Sequence, residues 1–287
     1  MRDHLVFVRA GRHSLHREMI DADPARNWDC CVNAWAGPSP ADLADPGVEI
    51  FEGGGINKFE AFMAYSASHP EARGYRRVLL LDDDLRFRPG DVSRFFDHCE
   101  REALFLSQPA IAWGSHANHR INLWNPMCVV RRVNFVEVMA PCFSRAALDE
   151  LMTETFGLTT CTWGIDYAWS SLLRDRGRLA VVDAVAMAHT KPMDRSGGPF
   201  YEMLRRSGID PEQELAAVHA RYAPWGEMAT LDDGHRHRWP LPARLNWRAV
   251  AAWEARKPAA HLRRGGTIVP ARPVGVFAPP TRVFAPV

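Results

Sequence analysis

The pattern of hydrophobic and polar positions predicts strands and helices that alternate along most of the chain. Short apolar runs that end at glycine, proline or charged residues are typical of buried strands, whereas apolar residues spaced three and four apart indicate helices. The predicted strands are residues 5–8, 29–35, 48–51, 78–81, 103–106, 133–139 and 179–183, the last followed by the apolar run 185–189, and the predicted helices are 56–69, 91–102, 145–156 and 166–176. This alternation predicts an α/β fold, a Rossmann-like α/β/α sandwich with a mostly parallel central sheet.

The most apolar predicted strand, residues 78–81, has no polar alternation, as expected of a strand covered on both faces of a sheet. It is predicted at the sheet centre. Three aspartates, Asp82, Asp83 and Asp84, follow it directly. Functional groups of such sheets gather at the C-terminal ends of strands, and adjacent carboxylates favour a cation between them. The position therefore predicts a site for a hard divalent ion, Mn²⁺ or Mg²⁺, which can neutralise a diphosphate leaving group.

The charge of the chain is distributed unevenly. The 287 residues are 47% hydrophobic and 24% charged with a formal net charge of +1, so no overall field favours nucleic acid or membranes. Residues 240–287, however, carry eight Lys or Arg against one acidic residue. We predict a domain at 1–222 and a basic, Trp- and Pro-rich extension at 223–287. The extension either wraps over the domain with tryptophans as anchors or contacts an acceptor or an anionic membrane surface.

The cysteines and the N-terminus bear on the compartment. The six cysteines contain no C-x-x-C pair and lie mostly in apolar surroundings, which is typical of buried, reduced thiols. The apolar run at residues 5–8 is too short for a signal-peptide core or a membrane span. We expect a cytoplasmic protein without structural zinc.

Several segments in a fixed order resemble the GT-A glycosyltransferases, and among them a plant and bacterial family known mainly as a domain of unknown function. The resemblance covers about residues 55–192. Its segments are Lys58-Phe59-Glu60-Ala61-Phe62, Leu79-Leu80-Leu81-Asp82-Asp83-Asp84-Leu85, Leu106-Ser107-Gln108-Pro109-Ala110, Phe135-Val136-Glu137-Val138-Met139-Ala140-Pro141-Cys142-Phe143-Ser144-Arg145-Ala146-Ala147, Trp163-Gly164-Ile165-Asp166, and Val181-Val182-Asp183 followed by His189. The family usually has Asp-Glu-Asp-Leu-Gly, whereas this chain has Asp-Asp-Asp-Leu-Arg at residues 82–86. The outer carboxylates of the D-x-D motif are kept, but Arg86 is expected to change the sugar pocket.

The resemblance implies a metal-dependent transfer of sugar from a nucleoside diphosphate sugar, UDP-linked by default, to a hydroxyl acceptor, either a glycan or a small molecule. Asp84 and His189 would bind the metal, and Asp82 would contact the ribose or reach the metal through water. Asp83 would orient the sugar, and Lys191 would place a cation beside the diphosphate. A neutral imidazole is a good Mn²⁺ ligand, although a single histidine after a strand is more often structural.

Two acidic residues are candidates for the acceptor side. Asp166, at a predicted helix start after Gly164, is either a helix N-cap or, as the resemblance implies for inverting enzymes, the general base. Glu137 is costly to bury alone, so it either pairs with Arg145 or faces the site as an acceptor contact and second base. Trp163 either stacks on a sugar or packs in the core.

For the donor nucleotide, Arg9 and Gly11 in the loop after the first strand and Lys58 at a helix start are predicted contacts, because free N–H groups at a helix N-terminus attract anions. The glycines at 53–55 are equally typical of a plain turn. Two other functions stay open. A metal-dependent phosphohydrolase would use the aspartates but not the Trp-Gly-x-Asp segment, and a non-catalytic protein of the same fold would only bind the sugar nucleotide.

Overall fold

The computed structural model describes residues 1–173, 178–192, 198–222, 228–231, 234–240 and 242–269. The strands of this part are β1 (His4–Ala10), β2 (Trp28–Ala34), β3 (Val48–Phe51), β4 (Arg77–Leu81), β5 (Leu85–Arg86), β6 (Leu106–Ile111), β7 (His116–Ala117), β8 (Cys128–Val133), β9 (Cys142–Ser144), β10 (Leu179–His189), β11 (Arg236–His237) and β12 (Thr267–Ile268). Its α-helices are α1 (His16–Asp21), α2 (Pro40–Ala44), α3 (Lys58–Ser68), α4 (Asp91–Arg101), α5 (Arg145–Thr155), α6 (Ile165–Leu173), α7 (Pro199–Arg206), α8 (Pro211–Arg221) and α9 (Ala243–Leu262). The predicted proline-rich end, 270–287, and residues 174–176 of a predicted helix lie outside the described residues.

The main sheet has the strand order β11-β8-β10-β6-β9-β4-β1-β2-β3, and β5 pairs with β10. β3, β2, β1 and β4 are parallel neighbours, and so are β6 and β10. β9 lies antiparallel between β4 and β6, so these two strands run in the same direction. The C-terminal ends of β1, β2, β4, β6 and β10 therefore meet at one edge of the sheet.

Two apolar layers cover the faces of the sheet. In β4, Leu79 and Leu81 belong to one layer and Val78 and Leu80 to the other. The first layer is completed by α1 and α4, and the second by α3, α5 and α6. Burial of each such side chain contributes about 1.5–3 kcal/mol. The predicted α/β/α sandwich is confirmed, as is the expectation that residues 78–81 are covered on both faces.

Three predicted strands differ from the structure. The strand predicted at 103–106 begins at Leu106, because Ala103 has φ 45° in the turn that ends α4. The strand predicted at 133–139 ends at Val133, and its apolar pattern reflects a loop whose Phe135 is buried in the second layer. The runs 179–183 and 185–189 form the single strand β10, whose register shifts beside Pro109, a residue without an N–H donor.

The described part of the extension packs on the domain. β11 pairs with β8, β12 pairs with β7, and Trp253 of α9 stacks on Trp113 with ring centroids 5.6 Å apart. This contact fits the interpretation that tryptophans anchor the extension, although Trp239 is exposed. Among the described residues, none of the helices combines the length and the apolar content needed to cross a bilayer. All six cysteines are buried and unpaired.

Candidate active site

The fold brings Asp84 and His189 together where β4 and β10 end. Leu85, directly after the aspartates, pairs with His189, and the main-chain N–H and hydroxyl of Thr190 both donate to the Asp84 carbonyl, at 3.0 and 2.8 Å. Asp84 Oδ2 lies 3.5 Å from His189 Nε2. Burial disfavours the charged form of both groups, but the attraction between them is stronger. The pKa of Asp84 is therefore lowered and the pKa of His189 is raised.

This pair suits a divalent ion only as part of a larger ligand set. The other ring nitrogen of His189, Nδ1, lies 3.2 Å from the carbonyl oxygen of His116, so Nε2 faces the carboxylate. An outer hydrogen bond of this kind is common for metal-binding histidines. Within the described residues, no three His, Cys, Asp or Glu side chains converge as a metal-binding group. Asp84 and His189 thus fit an ion whose other ligands are water and phosphate oxygens, as is usual for Mg²⁺.

Lys58 forms an ion pair with Asp82. The buried Lys58 ammonium donates to Asp82 Oδ1 at 2.6 Å and to the Met139 carbonyl at 2.8 Å. α3 begins at Lys58 and not at Ile56, because the Asn57 side chain caps its first N–H groups. Burial lowers the pKa of Lys58, against the charge of Asp82. The Asp82 side chain is 47% exposed to solvent. A contact from Lys58 to phosphate stays a prediction.

Asp83 turns toward the loop after β1. The Gly11 N–H donates to Asp83 Oδ2 at 2.7 Å, and a Cβ atom on Gly11 would lie 3.0 Å from the Trp35 ring and 3.1 Å from that carboxylate. Only glycine fits this close approach without displacing a neighbour. Trp35 follows β2 at the same edge of the sheet and is 51% exposed. Its indole is a candidate surface for stacking of the nucleotide base. The sequence did not reveal this role, because Trp35 was predicted only as the end of a strand.

Arg9 holds the glycine loop. Its guanidinium donates to Asn33 Oδ1 at 2.6 Å and to the Gly55 carbonyl at 2.9 Å, and Asn33 in turn donates to the Gly53 carbonyl at 2.9 Å. The glycines therefore form a fixed turn between β3 and α3. A direct contact between Arg9 and a nucleotide stays a prediction.

Two other cations lie near the acidic triplet. Arg86 makes a two-pronged ion pair with Glu18 of α1, at 2.7 and 3.0 Å. Lys191 is exposed, and its charge is among the weaker influences that lower the pKa values of Asp83 and Asp84. Lys191 is thus a solvent-exposed cation beside the triplet that can receive an anionic ligand.

Glu137 lies in the loop between β8 and β9, not in the strand predicted for it. Both of its carboxylate oxygens accept amide hydrogen bonds, one from Asn118 and one from Asn122 at 3.2 Å. Arg145, the predicted alternative partner, pairs with an aspartate on its own helix. The sequence did not identify the two asparagines as partners of Glu137, because they belong to a segment of irregular structure.

Asp166 is a buried carboxyl in the first turn of α6. α6 begins at Ile165, so Asp166 is inside the helix and is not its N-cap. Its Oδ1 accepts from the Tyr167 N–H at 3.0 Å, and the side chain is 5% exposed. Burial, together with the charge of Glu137, raises the pKa of Asp166 to about 7. A carboxyl group that titrates near neutrality is suited to accept a proton.

The loop before Asp166 is fastened on two sides. The carboxylate of Glu214 in α8 accepts from the N–H groups of Thr160 and Cys161, at 2.9 and 2.8 Å. Trp163 is half-buried, and its indole N–H donates to the Tyr201 hydroxyl at 3.3 Å. Both alternatives for Trp163, stacking on a sugar and packing in the core, stay predictions.

The charges of the candidate groups act on one another across this edge of the sheet. Asp82, Asp84 and Glu137 all raise the pKa of His189 and oppose the burial effect on Lys58. Glu137 also raises the pKa of Asp166, where its charge adds to the effect of burial. Lys58, His189 and Asp166 therefore lie close enough to the acidic groups for their charges to interact, while the roles predicted for them stay predictions. Arg9 and Trp163 are hydrogen-bonded to Gly55 and Tyr201.

Comparison with known proteins shows which solved structures have a similar fold. Neither a protein-family model nor a curated protein sequence matches the chain. The crystal structure of GalNAc-T7 with UDP, GalNAc and Mn²⁺ does match, with a TM-score of 0.52 and 14% identity over 77% of this chain and 48% of that chain. The chain has a GT-A-like fold. It spans about half the length of GalNAc-T7, and at this identity the likeness shows the fold alone.

A second structure gives a weaker match. It is a proposed nucleotide-diphospho-sugar transferase from Desulfovibrio desulfuricans G20, with a TM-score of 0.39 and 11% identity over 77% of this chain and 99% of that chain. Membership of the narrower plant and bacterial family stays a prediction.

Proposed function

We propose that this GT-A-like chain is a metal-dependent glycosyltransferase that moves a sugar from a nucleoside diphosphate sugar, UDP-linked by default, to a hydroxyl acceptor with inversion. The observation that carries the proposal is the meeting of two unlike sites at one sheet edge. One is the Asp84–His189 pair beside Lys191, and the other is the buried Asp166 beside Glu137. The Asp84–His189 pair would hold the cation that a diphosphate leaving group needs, and Asp166 would accept the proton of the attacking hydroxyl.

On the donor side, each residue has a separate task in the proposal. Asp84 and His189 hold a divalent ion, Mn²⁺ or Mg²⁺, which would neutralise charge on the departing diphosphate. Lys191 adds a positive charge beside it, and Asp82 contacts the ribose or water. Trp35 stacks on the base, since aromatic faces bind any base through its π-face.

On the acceptor side, the Asp166 carboxylate takes the hydroxyl proton while the hydroxyl oxygen forms a bond to the anomeric carbon. The bond between that carbon and the diphosphate oxygen breaks, and its electron pair leaves with the nucleoside diphosphate. Glu137, fixed by two amides, contacts the acceptor hydroxyl. Attack from the Asp166 side, opposite the leaving group, inverts the anomeric centre.

Titration calorimetry with UDP and Mn²⁺ tests the donor half. We expect binding by the wild-type protein and a loss of at least about tenfold in Asp84→Asn, because one metal ligand is removed. Asp149→Asn makes the same chemical change on the exposed face of α5 and serves as control. Equal affinity in Asp84→Asn and wild type would disprove the metal assignment.

A panel of nucleotide sugars scored for donor hydrolysis with Mn²⁺ tests the class of reaction without knowledge of the acceptor. Release of UDP from a UDP-sugar supports a transferase. Hydrolysis of a simple phosphate ester without affinity for sugar nucleotides indicates a phosphohydrolase, and binding without turnover indicates a non-catalytic protein. Once an acceptor is found, a product with the anomeric configuration of the donor would contradict inversion.

A further inference from the structure

The segment between β6 and β8, residues 112–125, supplies groups to both halves of the site. We call it the bridging segment. Its His116 carbonyl accepts from His189 Nδ1 at 3.2 Å, and its Asn118 and Asn122 amides donate to Glu137. The placement of His189 and Glu137 therefore depends on how the bridging segment is itself held.

The short strand β12 holds one end of the bridging segment. The Thr267 N–H donates to the Ser115 carbonyl at 3.0 Å, and the Val269 N–H donates to the Ala117 carbonyl at 2.9 Å. The carbonyl between them, that of His116, bonds His189 instead. Successive carbonyls of an extended strand point to opposite edges, so β12 occupies one edge of β7 and His189 the other.

A buried histidine locks the turn that leads into β12. His261, at the end of α9, accepts from the Gly114 N–H at 3.3 Å and donates from Nε2 to the Thr267 carbonyl at 3.0 Å. A Cβ atom on Gly266 would clash with the same ring, so the turn packs directly against it. β12 is thus fixed both to its own helix and to the bridging segment.

The helix α9 holds the other end of the bridging segment. Lys257, which is buried, donates to the Ile121 carbonyl at 2.8 Å and pairs with Glu254 at 2.7 Å. Arg131 of β8 donates to the same Ile121 carbonyl at 2.7 Å and to the Leu123 carbonyl at 3.0 Å. Asn122 lies between these two anchored carbonyls, and its amide reaches Glu137 at 3.2 Å.

We propose that residues 243–269 are a positioning element of the active site. In this proposal, β12 fixes the His189 imidazole through the His116 carbonyl, and Lys257 fixes the Glu137 carboxylate through Asn122. The inference rests on the proposed function for the tasks of His189 and Glu137. The positions of those two side chains can be measured without any substrate.

Two substitutions at one position test the β12 contact. Thr267→Pro removes the N–H that bonds Ser115. Thr267→Val keeps this N–H and removes only the side-chain hydroxyl, which is hydrogen-bonded to His116 Nδ1 at 2.7 Å. With ¹⁵N-labelled histidine, the hydrogen-bonded Nδ1–H of His189 is followed by NMR and assigned with His189→Gln. We expect this proton to stay protected in Thr267→Val and to exchange rapidly in Thr267→Pro. Mn²⁺ affinity in the presence of UDP should fall about tenfold only in Thr267→Pro, as for other partners of metal-binding histidines.

The NMR measurement separates this proposal from the proposed function, because it uses the protein without metal or nucleotide. The proposal is wrong if the Val269 amide loses its protection from hydrogen exchange in folded Thr267→Pro while the His189 Nδ1–H is unchanged. If Thr267→Pro does not fold, Val269→Pro breaks the neighbouring bond alone, and it is judged by hydrogen exchange of the Thr267 amide and of the His189 Nδ1–H.

The α9 contact is tested by removing a charge pair. Lys257→Met combined with Glu254→Gln avoids leaving one buried charge without its partner, which would be strongly destabilising. We expect kcat to fall about tenfold while UDP affinity changes less than about twofold, since Glu137 acts on the acceptor. Leu262→Ala, at an exposed position of α9, is the control. A folded variant with unchanged kcat would show that Lys257 does not position Glu137.

Discussion

The donor side and the acceptor side of the candidate site are built from different kinds of structure. Asp84 directly precedes β5 and His189 ends β10, and main-chain hydrogen bonds between these segments bring the two residues together. Glu137, by contrast, lies in a loop and is placed by asparagine amides from a second loop, which the C-terminal helix and strand hold in turn. A site of this kind can keep its donor chemistry while the acceptor side changes with loop sequence.

The largest expected effect separates the two sides at the level of turnover. Asp166→Asn should lower kcat by about 10²–10⁴-fold, because the amide cannot accept the hydroxyl proton. UDP affinity should stay unchanged, since Asp166 makes no contact with the donor in the proposal. Steady-state kinetics with the donor found by the panel, together with calorimetry, measure both quantities.

Asp149→Asn is the control for Asp166→Asn, since it changes an exposed aspartate of α5. Full turnover in Asp166→Asn would remove the residue from the role of general base. Glu137 would then be the remaining carboxylate for that role on the acceptor side.

A change at Trp35 should affect the donor side alone. Base stacking on an aromatic ring is worth about 1–3 kcal/mol, so Trp35→Ala should weaken UDP binding by roughly 5- to 150-fold. The apparent affinity for the acceptor should not change. Trp239→Ala removes another exposed tryptophan, 58% exposed in the extension, and is the matched control. Equal UDP affinity in the two variants would mean that the base lies elsewhere.

The same contrast explains how far the sequence could predict the molecule. The apolar run before Asp82 identified the buried strand, the edge of the sheet and the acidic triplet, because strand burial and side-chain chemistry are both local properties. Glu137 was singled out as a buried charge, but Asn118 and Asn122 were not identified as its partners. Those contacts join two irregular segments whose residues are 19 and 15 positions apart, and no local pattern records them.

Charge on Asp166 also predicts a pH dependence on the acceptor side. A base with a pKa of about 7 is mostly protonated at pH 6, so kcat should rise about fivefold or more from pH 6 to pH 8. UDP binding measured with Asp166→Asn and with wild-type protein should have the same pH profile, because the group does not act on the donor. A flat kcat over this range in the wild type would contradict the assignment of Asp166 as base.

The smallest expected effect is on stability. The pKa of Asp166 is higher in the folded protein than the ordinary value of an unfolded aspartate, so the folded state binds more protons between about pH 4 and pH 7. The free energy of unfolding should therefore fall as pH rises through this range, and Asp166→Asn should not share this loss. At pH 8 we expect the variant to melt a few degrees higher than the wild type, with little difference at pH 4. Thermal unfolding at several pH values measures this, and Asp149→Asn should follow the wild type throughout.

If the Asp166→Asn and wild-type curves stay parallel from pH 4 to pH 8, the buried carboxyl carries no charge penalty. The acceptor side would then lack the perturbed group that distinguishes it from the donor side.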